Sequence, residues 1–457
     1  LVPGVNPQLK FGVGLLPQAA PVTFSVTLES NDTDTEIFTK TVFKGDNWID
    51  YSLDLSAWEK RKVRIMFKVL SHTPSVALWS SPRIVESKRR GKLFCIYVVD
   101  ALRADFCEGF STFRGRENDT PAISNLARQG AQFTNTLANA PITKYSVATL
   151  FTGLYPSHNG IMNYQRIPDD ILTLAEVFKE NGFVTASFLF NSNAGRMRGF
   201  HQGFDFLFST ERLSREARSL MQEDVDTIYG ENPSLTSGGM INEFLFDFIQ
   251  THQEDDVFLY LHLMDTHAPY FPDEEFLREF YSSMSKRGLA VPTDPVNLLN
   301  ELKFTQRPSY SPKDHLSEEA LLELYRGAAQ TADKHLQRFT DFLNSEGRGD
   351  ETTIIFTSDH GEHLNEHPEI GLFTHMHPML LEVLRIPLII NSPSLVGEGR
   401  IISKPAQLAD VMPTVLDLAG ITYNPAQFDG VSLLLLMAGE EHNYFTRRPI
   451  VSQSSPF

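Results

Sequence analysis

Leu93-Phe94-Cys95-Ile96-Tyr97-Val98-Val99-Asp100 is an apolar run closed by a carboxylate. It has the length of a strand and no polar face to turn to water. It therefore predicts a strand buried on both sides, as in a parallel sheet covered by helices. Two later runs end the same way. Val257–Met264 stops at Asp265-Thr266-His267, and Thr352–Thr357 stops at Ser358-Asp359-His360-Gly361-Glu362. In open α/β sheets ligands sit beyond the carboxyl ends of the strands, so these runs aim carboxylates and imidazoles at one crevice. A single Asp after a strand is an ordinary turn or cap residue. An adjacent Asp359-His360 pair after a wholly apolar strand places two hard-to-bury groups together, which favours a site.

Working outward, Pro121–Gln129, Ser146–Thr152 and Leu172–Asn181 read as helices, and Glu318–Ser345 as one or two. Val184–Phe190, Asp256–Met264 and Ile386–Ile390 read as strands. This alternation predicts an α/β domain over residues 92–457 with a mainly parallel sheet between helices. Residues 1–88 differ. Val22–Leu28, Glu36–Phe43, Trp48–Leu55, Lys62–Val69 and Ser75–Ser80 alternate apolar and polar between turn residues, which predicts a small β-sandwich free of site residues. Lys88-Arg89-Arg90-Gly91-Lys92 reads as a solvated linker. Residues 272–317, rich in Pro, Ser and charge, read as an irregular insertion, a rim or lid.

Composition excludes several classes. The 457 residues are 41% hydrophobic and 21% charged, enough for a large core, and the net charge of −17 with no long basic run argues against nucleic acid. Cys95 and Cys107 are too few for a disulfide framework or a thiolate zinc site. No apolar stretch is long enough to span a bilayer. The chain opens at Leu1 rather than Met, consistent with a mature or trimmed form.

Thr143 falls where a turn, Asn139-Ala140-Pro141-Ile142, enters a short helix that ends at Gly153. A hydroxyl at a helix N-terminus faces free N–H groups and the positive end of the dipole, a setting suited to an alkoxide or oxyanion. An ordinary Thr cap would look the same in sequence.

Several segments together resemble the sulfatase family of the alkaline phosphatase superfamily. Tyr97–Asp105 resembles its opening metal motif. Thr143–Pro156, with Thr152-Gly153-Leu154-Tyr155-Pro156, resembles its nucleophile helix. Leu261–Tyr270 resembles the mid-chain His motif, Phe356–Glu362 the second metal motif, and His375–Pro387 the late His motif. Asp410–Gly420 and Asp429–Leu433 resemble the closing signature. The resemblance runs over about residues 93–435 and leaves 1–88 outside. It implies an alkaline-phosphatase-like α/β fold, a metal-dependent ester hydrolase, and an extracytoplasmic location. The departures are specific. Thr143 stands where formylglycine sulfatases carry Cys or Ser, and Val147 where they carry Arg. Ala101 replaces the second Asp of the calcium enzymes.

The resemblance thus implies Thr143 as nucleophile, a metal set of Asp100, Thr143, Asp359 and His360, and His267 and His375 acting on the substrate. Lys144 and Asn163 are candidate contacts to the substrate anion. His363, His367 and His377 lie near the motifs and are expected at the surface or behind the site. The donor set suits Zn²⁺ or Mn²⁺ better than Ca²⁺. One ion is favoured over two, because Asp265 and His267 lack the spacing of two-zinc relatives. The substrate expected is a small-molecule, lipid-borne or glycan-borne phosphate or sulfate ester, with phosphate favoured. A sulfuric ester hydrolase and a phosphoethanolamine- or phosphoglycerol-type headgroup transferase are the alternatives.

Overall fold

The structure is a computed structural model. It describes residues 7–454 except 16–19, 31–32, 44–48, 59–60, 73–74, 80–81, 87–90, 111–113, 210–236, 269, 271, 289–317, 365, 368–374, 376–377, 394–398 and 441–442. The chain divides into two compact units, Leu1–Arg90 and Gly91–Phe457.

In the first unit, β1 (Pro7–Leu15) pairs antiparallel with β4 (Ile49–Asp54), β6 (Ala77–Trp79) and β7 (Arg83–Glu86). A second sheet sets β2 (Val22–Ser30) between β3 (Thr33–Val42) and β5 (Arg64–Leu70). Inward residues of both sheets share one aromatic core. Phe11 meets Phe38 edge-on at 5.1 Å, and Phe24 meets Trp79 at 5.0 Å. Strands β1 and β7 were not among those predicted. Pro7 and the paired Gly12 and Gly14 in β1 weaken its strand signature, and pairing with three neighbours overrides it.

The second unit is built on a nine-stranded sheet. Its order is β11 (Phe206–Ser209), β10 (Val184–Leu189), β12 (Val257–Leu263), β8 (Leu93–Val99), β13 (Thr352–Thr357), β14 (Arg385–Asn391), β9 (Ala131–Leu137) and β15 (Arg400–Ile402). The short β16 (Ala406–Gln407) also pairs with β9. The sheet is mixed, because β14 runs antiparallel to both neighbours while the other pairings are parallel.

The opening run behaves as its composition requires. Leu93, Cys95, Tyr97 and Val99 pack into one core with α1 (Pro121–Gln129), α5 (Ser237–Thr251) and α7 (Glu318–Ser345), one helix of 28 residues. Phe94, Ile96 and Val98 pack into the opposite core with α2 (Thr143–Thr152), α4 (Leu174–Glu180) and α9 (Val411–Ala419). Period-two side chains thus feed two apolar layers.

The 272–317 insertion is not irregular throughout. Glu274–Lys286 forms α6, capped by the Asp273 carboxylate accepting from Phe276 N at 2.8 Å, and it buries Leu277, Phe280 and Met284. Residues 289–317 lie outside the described residues. No described helix is long and apolar enough to cross a membrane.

Candidate active site

Strands β12, β8 and β13 are direct neighbours, and their register aligns Val257, Leu93 and Thr352. Their carboxyl ends therefore emerge side by side, carrying the Asp100, Asp265 and Asp359 loops. Asp100, Asp359 and His360 are all fully buried. The chain leaves β8 through Ala101 in a left-handed conformation, φ 59°. That costs an alanine about 1–2 kcal/mol. The turn is held by Ala101 N donating to Asp359 Oδ1 (3.2 Å), Leu102 N donating to Ser358 Oγ (3.0 Å) and Tyr325 Oη donating to Ala101 O (2.7 Å).

Thr143 is the first residue of α2. Ile142 takes the cap position, and no side-chain cap bond is made. The hydroxyl is instead turned into the crevice. It accepts from Asn191 Nδ2 at 3.3 Å and faces His360 Nε2 at 3.3 Å. Asn191 follows β10, and the same amide donates to Asp100 Oδ2 at 2.5 Å. His360 Nδ1–H donates to Gly361 O at 2.8 Å, which leaves Nε2 as a lone pair. That nitrogen lies 3.4 Å from Asp359 Oδ2 and 3.7 Å from Asp100 Oδ1. Both oxygens are buried without a hydrogen-bond partner. Buried carboxylate oxygens are costly to leave bare.

These distances provide a fit test for a divalent cation. Nitrogen and oxygen donors at zinc-type bond lengths, arranged tetrahedrally, stand about 3.4 Å from one another. The contacts of His360 Nε2 to Asp359, Thr143 and Asp100 span 3.3–3.7 Å. The residues fit the group. Asp100, His262 and Asp359 also offer ligand atoms within 4.8 Å of one another, so His262 of β12 stands close to the same point.

The electrostatics agree with a site that holds positive charge. Burial alone would raise the Asp100 carboxyl. The neighbouring His267 ring, the hydrogen bond from His262 and the nearby His360 outweigh it, and its pKa lies well below the usual carboxylate range. Burial pulls His360 below the ordinary imidazole value. For His375, burial works downward, but the Glu362 carboxylate and its hydrogen bond at 3.1 Å prevail and raise it. His375 stacks on His360 with ring centroids 4.4 Å apart and meets His267 at 5.1 Å. His267 Nδ1–H donates to Ala268 O at 2.6 Å, so His267, His360 and His375 all spend Nδ1 on an orienting acceptor.

Other sequence candidates sit further out. Lys144 Nζ donates to Gln165 Oε1 at 2.5 Å and lies over the Tyr145 ring. Asn163 lines a surface cavity of about 600 Å³ with His158, Tyr164 and Arg166. Asp265 turns away from the crevice: its Oδ2 accepts from Ser237 Oγ at the start of α5. His363 is buried and stacks on His367, and His377 lies outside the described residues. Asn191 and His262 were not singled out from the sequence. A signal for each existed: Asn191 follows an apolar strand, and His262 interrupts one.

A mixed sheet between two helical layers, with acid and imidazole groups gathered at its parallel strand ends beneath a helix-start hydroxyl, defines the class as an alkaline-phosphatase-like α/β fold. The solved phosphonate monoester hydrolase of Agrobacterium radiobacter shares this fold, with a TM-score of 0.58 at 20% identity over 77% of this chain and 78% of that one. The chain belongs to the sulfatase family, whose model, Sulfatase, matches residues 93–421. Among relatives, the ulvan-active sulfatase of Formosa agariphila is 24% identical over 74% of this chain and 64% of that protein. The N-acetylglucosamine-6-O-sulfatase of Bacteroides thetaiotaomicron is 23% identical over 80% and 74%.

Proposed function

We propose that the chain hydrolyses phosphate or sulfate esters with Thr143 as a direct nucleophile, phosphate esters being preferred. The observation that carries this reading is the Thr143 hydroxyl, freed from capping and held within 3.3 Å of His360 Nε2 beside two bare carboxylate oxygens. Asp100, Asp359, His360 and Thr143 would hold a single Zn²⁺ or Mn²⁺. When bound, the cation would lower the pKa of the hydroxyl and neutralise charge on the transferred group.

Thr143 Oγ, its proton released to solvent, forms a bond to phosphorus in line as the bond to the alcohol oxygen breaks. Asn191 keeps the hydroxyl pointed at the crevice. His375, with Nδ1–H held by Glu362, carries a second proton on Nε2 and passes it to the leaving oxygen, and His267, oriented by Ala268 O, faces the equatorial oxygens. Glu362 orients His375. Water then attacks the phosphothreonine and regenerates Thr143. A threonine carries no aldehyde hydrate, so release has to occur by attack on the central atom, which suits phosphorus.

The second reading, sulfate esters of glycans, is favoured by the two sulfatase relatives, one active on ulvan and the other an N-acetylglucosamine-6-O-sulfatase. Parallel turnover of aryl sulfate, aryl phosphate, phosphodiester and phosphonate monoester decides between them. Phosphoester turnover with a phosphoryl adduct trapped on Thr143 supports the first. Faster sulfate turnover without that adduct overturns it.

A further inference from the structure

Strand β12 carries two polar side chains on one face, Tyr260 and His262, two residues apart and both fully buried. Each would be costly in an apolar layer without a partner. Tyr260 Oη lies 2.7 Å from His262 Nδ1, and His262 Nε2 lies 3.0 Å from Asp100 Oδ2. The same Asp100 oxygen takes the Asn191 amide, whereas Oδ1 has no hydrogen-bond partner and faces His360. The carboxylate is thus divided into one saturated oxygen and one bare oxygen. The Tyr260 ring meets Phe151 of α2 edge-on at 4.7 Å, so the helix that begins with Thr143 packs against the far end of the same chain of contacts.

We propose that Tyr260 and His262 form a buried positioning relay. Tyr260 Oη–H donates to His262 Nδ1, and His262 Nε2–H donates to Asp100 Oδ2, so that only Oδ1 is presented to the cation. His262 is then a positioning residue rather than a ligand, although it stands as close to Asp100 and Asp359 as a ligand would. Its two ring nitrogens are both occupied at hydrogen-bond distances, whereas His360 Nε2 meets only the long 3.3 Å contact of the Thr143 hydroxyl and faces two bare carboxylate oxygens. Outer hydrogen bonds of this kind fix ligand orientation and typically govern 10- to 100-fold in metal affinity.

The inference rests on the cation site proposed above, and its test separates the two. Nitrogen NMR of ¹⁵N-histidine-labelled protein, metal-free and zinc-loaded, in buffer alkaline enough to leave each imidazole a single proton, reads the protons directly. The relay requires a proton on His262 Nε2 and none on Nδ1 in both states. A proton on Nδ1, or zinc coupling to His262, overturns it. Zinc affinity by chelator competition is the second readout. Tyr260→Phe should weaken binding about 10-fold and His262→Leu about 100-fold. His262→Gln, whose amide can still donate to Asp100, should recover most of that loss. Equal losses for the Gln and Leu variants overturn the donor role. If the wild-type chain binds no zinc, the cation site fails, and the metal-free spectrum still decides the relay.

Discussion

Replacing Thr143 with valine keeps the branched shape at the start of α2 and deletes only the hydroxyl. The structural cost follows from its contacts. The hydroxyl makes two long hydrogen bonds, both 3.3 Å, and it caps nothing. Neutral hydrogen bonds contribute about 1 kcal/mol each, and the Asn191 amide keeps its 2.5 Å bond to Asp100. Thr143→Val should therefore destabilise the fold by no more than about 2 kcal/mol. The kinetic cost belongs to a different scale. Loss of a nucleophile removes on the order of 10⁴-fold or more in rate, equivalent to about 5 kcal/mol of transition-state stabilisation. Thermal melting and aryl phosphate turnover, measured on the same preparation, separate the two, and Thr143→Ser should retain measurable activity. Turnover of Thr143→Val within tenfold of wild type refutes the nucleophile assignment. A stability loss well above 3 kcal/mol would mean the hydroxyl is structural.

Chelation should lower both activity and melting temperature, because Asp100 Oδ1 and Asp359 Oδ2 are buried and bare; unchanged melting with and without zinc speaks against the site. Arg103, almost fully buried, donates to both oxygens of Asp105, to Glu366 and to Glu362 O. Arg103→Met should cost about 2–3 kcal/mol in chemical denaturation, since the part-buried Asp105 loses its guanidinium partner while Glu366 keeps Arg114. Asp333 accepts from Ala122 N and Ile123 N, and burial pushes its pKa up to about 7 from 3.8. A raised carboxyl pKa stabilises fully below the unfolded value and loses that contribution as pH rises through the folded one. Stability should thus fall between about pH 4 and pH 7, and Asp333→Asn should flatten that slope in denaturation series. Gly153 ends α2 at φ 65°, and a Cβ there would lie 2.9 Å from Phe428. Gly153→Ala should lower the melting point, by strain worth about 1 kcal/mol or more.

The catalytic sheet was legible because burial on both faces leaves an unmistakable mark: Leu93–Val99 has no polar position to place elsewhere. Asp100, Asp359 and His360 were legible as neighbours from their place at strand ends, and they lie together in the structure. Asp265 follows a strand as the others do but binds the start of α5. Strand-end position alone does not say which way a side chain turns. The antiparallel course of β14 was illegible, since an apolar strand carries no direction in its composition. Helix α6 was hidden inside a polar, Pro-containing stretch, although Asp273 and the spacing of Leu277, Phe280 and Met284 encode it. His262 escaped notice because a single imidazole in an apolar run reads as a core residue. Only its distance from Asp100 shows otherwise.

The adjacency of β12, β8 and β13 has a consequence for how such a protein diversifies. Neighbouring strands are spaced about 4.8 Å apart by their backbone hydrogen bonds, which depend little on side-chain identity. The groups emerging from their ends therefore inherit a separation set by the sheet, whereas the loops beyond them are free to lengthen, shorten or change sequence. Ester selectivity can drift through those loops while the reacting centre keeps its dimensions. Grafting the segment after Ala268 from another family member, with His267 and His375 retained, should accordingly alter which esters are accepted and leave cation affinity unchanged.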